Sequence, residues 1–289
     1  MIKIIKYFFQ AIVIYIFFIV IKLLGLRLSR NFFSLLFSKI GPFIKSVQII
    51  DENLDKFIGS YNENKKNNIK TQMWSNYGKT FVEYLFLKRF KKNNSHIEIK
   101  GIDILQKIKD KNKPVIFVSG HFSNFELMSM ELTKRNIKLA TIYRPLNNFF
   151  LNPFMERIRK KYICKNQIKK GLPGVKNAIA FLQNNFSIAL MIDQRVSEGK
   201  RLPFFGHMAL TTTLPAQLAI KYQLDIVPIY IARNKFDNFE MEVYEPLKIT
   251  NKENLELSKL ELTIELNKVA EQMISRNPGQ WIWTHNRWK

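Results

Sequence analysis

"PVIFVSGHFSNFELMSMELTKR", residues 114–135, decides the fold, because it joins an uninterrupted apolar run to an amphipathic run through a short polar turn. The run before Gly120 predicts a strand buried on both faces, and the periodicity that follows predicts a helix. Ser123 precedes Glu126 by three residues, which is the spacing of a helix N-cap and its capping-box partner. The stretch therefore predicts a strand, a turn and a helix, which together form the repeating unit of α/β sheets.

The same alternation continues along the chain. The apolar runs that predict strands are KLATIY at 138–143, SIALMID at 187–193 and LDIVPIYIAR at 224–233. The amphipathic runs that predict helices are FFLNPFMERIRKKY at 149–162, GVKNAIAFLQNN at 174–185 and TTLPAQLAIKYQ at 212–223. We therefore predict an α/β fold with a central mixed sheet covered by helices, formed by a single domain over residues 31–289. Within it, residues 51–95 are expected to be helical.

The first thirty residues predict a membrane anchor with a basic flank (1–30). Residues 7–21, "YFFQAIVIYIFFIVI", contain no charge and have lysines on either side. Extended to Leu26, the segment gives about twenty residues or about 30 Å of helix, enough to cross a hydrocarbon core. A secretory signal peptide is the alternative, but no small-x-small cleavage site closes the run. We expect an uncleaved transmembrane or membrane-interface helix, with the basic flank keeping the domain on the cytoplasmic side.

The composition favours an anionic partner, because 46 Lys and Arg face 23 Asp and Glu, a formal net charge of +23. Anionic lipid and an acidic protein both fit this charge. Zinc-finger, RNP and clear helix-turn-helix patterns are absent from the sequence, so no nucleic-acid partner is expected. The single cysteine, Cys164, excludes an internal disulfide framework.

No metal or cofactor is expected from the motifs. The three histidines besides His121 lie at positions 96, 207 and 285, and none of them has a helical metal-ligand spacing. A nucleophile elbow, a phosphate-binding loop and a dinucleotide fingerprint are also missing from the sequence.

His121 and Glu126 have two interpretations. Glu126 could accept the amide of the N-cap and stabilise the helix by about 1 kcal/mol. Alternatively, its carboxylate could hold one imidazole nitrogen of His121 while the other nitrogen takes the proton of a substrate hydroxyl.

The chain resembles the glycerolipid-type acyltransferases and, more closely, the late acyltransferases of lipid A biosynthesis, the lauroyl and myristoyl transferase family. The resemblance covers residues 70–289 and rests on blocks in the family's order. These blocks are SGHFSNFEL at 119–127, IYRPLNN at 142–148 followed by ERIR at 156–159, MIDQRVSEG at 191–199, LPFFGHMALTTTLPAQLA at 202–219 and PGQWIWTHNRWK at 278–289.

The resemblance implies an enzyme that moves a fatty acyl chain from acyl carrier protein to a hydroxyl of a phosphorylated lipid A precursor. It implies no cofactor, and it places the reaction at the cytoplasmic face of the bacterial inner membrane. A lysophospholipid or another glycolipid as acceptor stays open, as does a non-catalytic basic protein that only binds membranes.

Roles for single residues also follow from the resemblance. It implies that His121 is the general base and Glu126 its partner. Arg144 would hold the thioester oxyanion or an acceptor phosphate, since a guanidinium stays charged and binds oxygens in pairs. Asp193 would orient Arg144, Arg195 or the sugar, although an aspartate at a strand end could also merely cap a turn.

Asn124 and Arg157 complete the substrate-binding set, with a solvated surface charge or carrier-protein docking as the alternatives for Arg157. Phe204, Phe205 and Gly206 would wall an acyl channel, the glycine allowing close approach; an aromatic pair in the core is the alternative.

The chain departs from the family at two positions in the first block. The family usually has glycine and tryptophan where this chain has Ser123 and Phe125. We expect Ser123 to keep the helix start as an N-cap and Phe125 to keep an aromatic wall.

Overall fold

The computed structural model describes residues 2–44, 47–247 and 254–289. Within these residues, seven strands pair in the order β1-β9-β8-β2-β5-β3-β4, and β6 and β7 form a separate antiparallel hairpin. Neighbours in the sheet are parallel except β8 and β9. The strands are β1 Ile97–Lys100, β2 Ile116–Ser119, β3 Leu139–Tyr143, β4 Asn166–Lys169, β5 Ser187–Met191, β6 Lys200–Phe204, β7 His207–Thr211, β8 Ile226–Arg233 and β9 Phe239–Val243. The predicted mixed α/β sheet is confirmed.

Helices cover both faces of this sheet. They are α1 Ile2–Ile44, α2 Val47–Ile58, α3 Glu63–Glu83, α4 Leu87–Lys92, α5 Ile102–Lys111, α6 Glu126–Lys134, α7 Asn152–Ile158, α8 Leu172–Gln183, α9 Leu214–Tyr222 and α10 Leu255–Arg276. Strand β2 shows the two-sided burial directly, because Ile116 and Val118 join one apolar cluster and Phe117 joins another. A strand buried on both faces is an uninterrupted apolar run, so the run "PVIFVS" predicts this strand.

The long apolar helix predicted at the start of the chain is present as α1. By length and composition it could cross a membrane. It bends at Gly25, whose φ of 74° interrupts the helical conformation. The helix runs on past residue 30, where the sequence suggested that an anchor ends, and its second half lies against α3.

The predicted helix start at Ser123 is wrong. Helix α6 begins at Glu126, and Ser123 adopts a φ of 46°, the left-handed region that favours glycine. The Ser123 hydroxyl is buried and makes no hydrogen bond within the described part of the chain. A glycine would suit this backbone better, and the serine does not act as a cap.

Candidate active site

His121 and Asp193 lie side by side because of the strand register. Strands β2 and β5 are parallel neighbours in which Ser119 pairs with Met191. Each of the two candidate residues follows its strand by two positions, so both emerge at the same edge of the sheet. His121 Nδ1 lies 2.9 Å from Asp193 Oδ1, and the His121 backbone N–H donates to Asp193 Oδ2 at 2.9 Å.

Asp193 is held as a carboxylate in the protein interior. Trp281 Nε1–H donates to its Oδ2 at 2.7 Å, and the side chain is fully buried. Burial alone would raise the pKa of Asp193, but the charge and hydrogen bonds of His121 and the Trp281 indole outweigh it and lower the pKa to about 2. Gly120 allows this approach, since a Cβ there would lie 2.7 Å from the ring of Phe122 and 3.2 Å from Asp193 Cγ.

Glu126 has other partners than the expected imidazole. Its Oε1 accepts from Arg159 Nε at 2.7 Å and from the Tyr84 hydroxyl at 3.0 Å, and both carboxylate and guanidinium are buried. The expected His121–Glu126 hydrogen bond is therefore replaced by His121–Asp193. The amide of the predicted N-cap, Ser123, donates instead to the carbonyl oxygen of Gln280 at 2.9 Å, so the capping-box interpretation also fails.

The loop between His121 and α6 is held from beneath by a buried ion cluster. Asn124 Nδ2 donates to Glu83 Oε2 at 2.9 Å. The same carboxylate binds Arg30 of α1 through Nε at 2.8 Å, and Arg233 at the end of β8. Glu83 has no exposed side-chain surface and the two arginines have 9% or less. This Glu83 cluster therefore links the apolar helix α1 to the loop that presents His121.

Cations from three strand ends lie along the same sheet edge. Arg144 follows β3 and Lys170 follows β4, and these strands pair in parallel with Tyr143 opposite Lys169. Partial burial and then the charge of Arg144 lower the pKa of Lys170, although Glu198 opposes them. Arg195 follows β5, and its buried Nε makes no hydrogen bond within the described residues.

Two of the predicted site residues have different surroundings from those expected. Arg157 is exposed in the last turn of α7, whereas Arg159, two residues later, is the buried guanidinium that binds Glu126. The signal for Arg159 was helical spacing, because it follows the buried Met155 by four residues and lies on the same helix face. Asn124 is buried and donates to Glu83, so it supports the loop between His121 and α6.

The three residues expected to line an acyl channel occupy a core and a hairpin turn. Phe204 is fully buried and lies against the rings of Trp281 and Trp288. Phe205 and Gly206 connect β6 to β7 with φ of 51° and 72°. Two positive φ angles are those of a type I′ turn, so Gly206 serves the turn; a Cβ there would meet nothing within 4 Å. The core alternative describes Phe204, whereas Phe205 is partly buried and Gly206 is exposed in the turn.

Comparison with known proteins decides the family. A family model described as bacterial lipid A biosynthesis acyltransferase matches residues 2–289. The chain belongs to this family.

Individual relatives of this lipid A biosynthesis acyltransferase family are distant. Lipid A biosynthesis acyltransferase 2 of Shigella flexneri is 22% identical over 189 residues, 64% of this chain and 58% of the relative. The lipid A biosynthesis palmitoleoyltransferase of Escherichia coli (strain K12) is 25% identical over 202 residues, 66% of this chain and 61% of the relative. The aligned stretch thus spans about three fifths of the relatives' own length. The resemblance inferred from the ordered blocks is confirmed.

His285 makes the stability of this lipid A acyltransferase family member depend on pH. Burial, and then the charges of His121, Arg287 and Lys170, lower its pKa to about 4 from 6.5, although Asp193 opposes them. A folded-state pKa below the unfolded value means that the neutral ring stabilises the fold above pH 6.5, and that this contribution is lost as the pH falls to about 4.

Between pH 6.5 and about pH 4, we expect the free energy of unfolding to fall by about 2 kcal/mol less in His285→Gln than in the wild type. This value is reduced because the ring is only partly buried. The measurement is thermal unfolding in detergent at a series of pH values. The exposed His207→Gln variant should keep the wild-type slope. An unchanged slope in His285→Gln would contradict the assignment.

Proposed function

We propose that the protein is a membrane-associated O-acyltransferase that moves a fatty acyl chain from acyl carrier protein to a hydroxyl of a lipid A precursor. The observation that supports this most directly is the His121–Asp193 pair at 2.9 Å, supported by Trp281. Since Nδ1 faces Asp193, Nε2 of a ring that is 20% exposed is the nitrogen open to a substrate hydroxyl.

The chemistry needs one base and a site for an oxyanion. His121 Nε2 takes the proton of the acceptor hydroxyl while its oxygen attacks the thioester carbonyl, and Asp193 stabilises the imidazolium that forms. The tetrahedral intermediate then collapses with cleavage of the C–S bond, and the imidazolium returns its proton to the thiolate of the carrier. Arg144, Lys170 and Arg195 are the cations at this edge that can stabilise the oxyanion or hold an acceptor phosphate.

Glu126 has a positioning role in this proposal. It is the first residue of α6, and its carboxylate ties that helix end to Arg159 and Tyr84. Together with the Glu83 cluster, which holds Asn124, this pair fixes the segment that follows His121. The base and its carboxylate partner are thus His121 and Asp193, with Glu126 acting through the backbone it holds.

The choice of donor and acceptor rests on charge and family. The net charge of +23 suits an acidic carrier protein and a phosphorylated lipid. The matched relatives are named for lipid A biosynthesis, and the name of one of them specifies transfer of a palmitoleoyl group.

A transfer assay tests the proposal. The full chain in mixed micelles is given acyl carrier protein thioesters of defined length, with either a lipid A precursor or a lysophospholipid as acceptor. We expect the lipid A precursor to gain the mass of one fatty acid, less one water, by mass spectrometry. Transfer to the lysophospholipid alone would overturn the proposed acceptor. No transfer to either acceptor by folded protein would overturn the proposed acyltransferase activity.

A further inference from the structure

The first half of α1 is attached to the α/β domain along one side. Ala11 and Ile21 are buried on this side and Ile14 and Phe18 are partly buried, and these residues have the three- and four-residue spacing of one helix face. The Lys22 ammonium donates to the carbonyl oxygen of Leu85 at 2.7 Å. The helix thus lies along the body of the protein and does not project from it.

The attachment involves residues 148–154, which run from the loop after β3 into the first turn of α7. Asn148 Nδ2 donates to the carbonyl oxygen of Tyr7 at 2.8 Å, and the Tyr15 hydroxyl donates to that of Phe150 at 3.1 Å. The rings of Phe18 and Phe154 lie 5.1 Å apart. These contacts extend from Tyr7 to Phe18, which is about 17 Å of helix rise.

The opposite side of α1 is apolar and exposed along both halves of the helix. It includes Ile5, Ile12, Ile16, Ile19, Leu28 and Leu35, each at least 39% exposed. An apolar face of this length on a chain that also has a basic surface fits a lipid bilayer.

A membrane-crossing α1 conflicts with these contacts. If residues 7–21 crossed the hydrocarbon core, the attached segment from Asn148 to Phe154 would have to enter the core with them. Asn152 in that segment binds Glu156, and α7 has Arg157 exposed in its last turn. Irregular backbone and charged side chains in lipid cost several kcal/mol.

We propose that α1 lies in the plane of the bilayer, within one leaflet, so that the protein is monotopic. In this orientation the exposed apolar face enters the lipid, and the attached side keeps its contacts with the domain. The exposed lysines at positions 3 and 6 lie at the start of this helix, where long side chains can reach phosphate headgroups.

In this orientation, the surface that faces the membrane also includes the edge of the sheet at which the parallel strands end. Leu146 and Phe149 after β3 and Leu172 after β4 are exposed, and Arg144 and Lys170 lie beside them. Apolar side chains next to cations suit the boundary between acyl chains and anionic headgroups. Because His121 and Asp193 emerge at this edge, the candidate site opens toward the membrane surface. The orientation of α1 does not depend on the proposed activity.

Depth measurements along α1 test the proposal. The native Cys164 is buried at 2% exposure, so cysteines can be introduced singly at Ile5, Ile12 and Ile19 and spin-labelled. These positions are seven residues apart and share one helix face. In reconstituted vesicles, the accessibility of the labels to oxygen and to a water-soluble nickel chelate gives their depth.

We expect the three labels to lie at similar depth in one leaflet, with a Lys111→Cys label, exposed at the end of α5 and before β2 at the opposite edge of the sheet, in water. A crossing helix would separate successive labels by about 10 Å, with one of them near the bilayer midplane. That gradient would overturn the proposal.

The side of the membrane on which residue 3 lies gives a second readout. Lys3→Cys and the exposed domain variant Lys176→Cys are treated with a membrane-impermeant maleimide in spheroplasts and in inverted vesicles. An in-plane helix labels both positions in the same preparation. Labelling of residue 3 from the opposite side, or only after detergent is added, would contradict it.

Discussion

Replacing His121 by alanine is expected to lower acyl transfer by about a hundredfold or more, because the acceptor hydroxyl loses its proposed base. Asp193→Asn lowers the rate by about a thousandfold, since an asparagine amide cannot stabilise the imidazolium and can favour the wrong tautomer. In both variants we expect the loss in kcat rather than in KM, because the pair acts on the transition state. Initial rates with a defined thioester and acceptor provide the measurement.

A matched control is His207→Ala, an exposed histidine on β7, which should keep wild-type turnover. Folding of each variant is checked by thermal unfolding. Wild-type-like turnover by folded His121→Ala would refute the base assignment. If Asp193→Asn were fully active while Glu126→Gln was inactive with unchanged stability, Glu126 would be the partner of His121 after all.

Replacing Glu83 by alanine lowers the free energy of unfolding by about 3–5 kcal/mol, the cost of removing one partner from a buried ion cluster. Arg30 and Arg233 then remain buried without a counter-charge, and Asn124 Nδ2 loses its acceptor. Chemical or thermal unfolding in detergent measures the effect. We also expect slower transfer at temperatures where the variant is folded, because the His121 loop loses its support.

The control for Glu83 is Glu265→Ala, which breaks an exposed pair with Lys268 on α10. Such a pair contributes well under about 1 kcal/mol, so its loss should be barely measurable. Equal effects of the two substitutions would show that the buried cluster contributes no more than a surface pair.

The sequence predicted the parts of the fold that depend on local pattern. Strands β2, β5 and β8 are buried on both faces and are uninterrupted apolar runs, so they were identified with the helices beside them. Strands β1 and β4 are short and partly exposed, and IEIK and NQIK give no comparable signal. The order of the strands also lies outside local pattern, since β5 pairs with β2 although β3 and β4 come between them.

The same limit explains the partner of His121. Spacing along the chain favoured Glu126, five residues away, whereas Asp193 is 72 residues away and arrives through the pairing of β2 with β5. The sequence placed His121 just after one predicted strand and Asp193 at the end of another, but it did not show that these two strands are neighbours. Arg159 was missed for a different reason, because choosing between it and Arg157 depends on which face of α7 is buried.

The indole that fixes Asp193 belongs to residue 281, and the amide of Ser123 is held by Gln280 next to it. Both contacts join early strands to a segment that leaves the ribosome after every strand of the sheet. A nascent chain that has reached α10 thus has His121 and Asp193 but lacks the hydrogen bonds that orient them. We infer that the proposed catalytic pair becomes competent late in synthesis, once residues 278–283 have folded back onto the sheet edge.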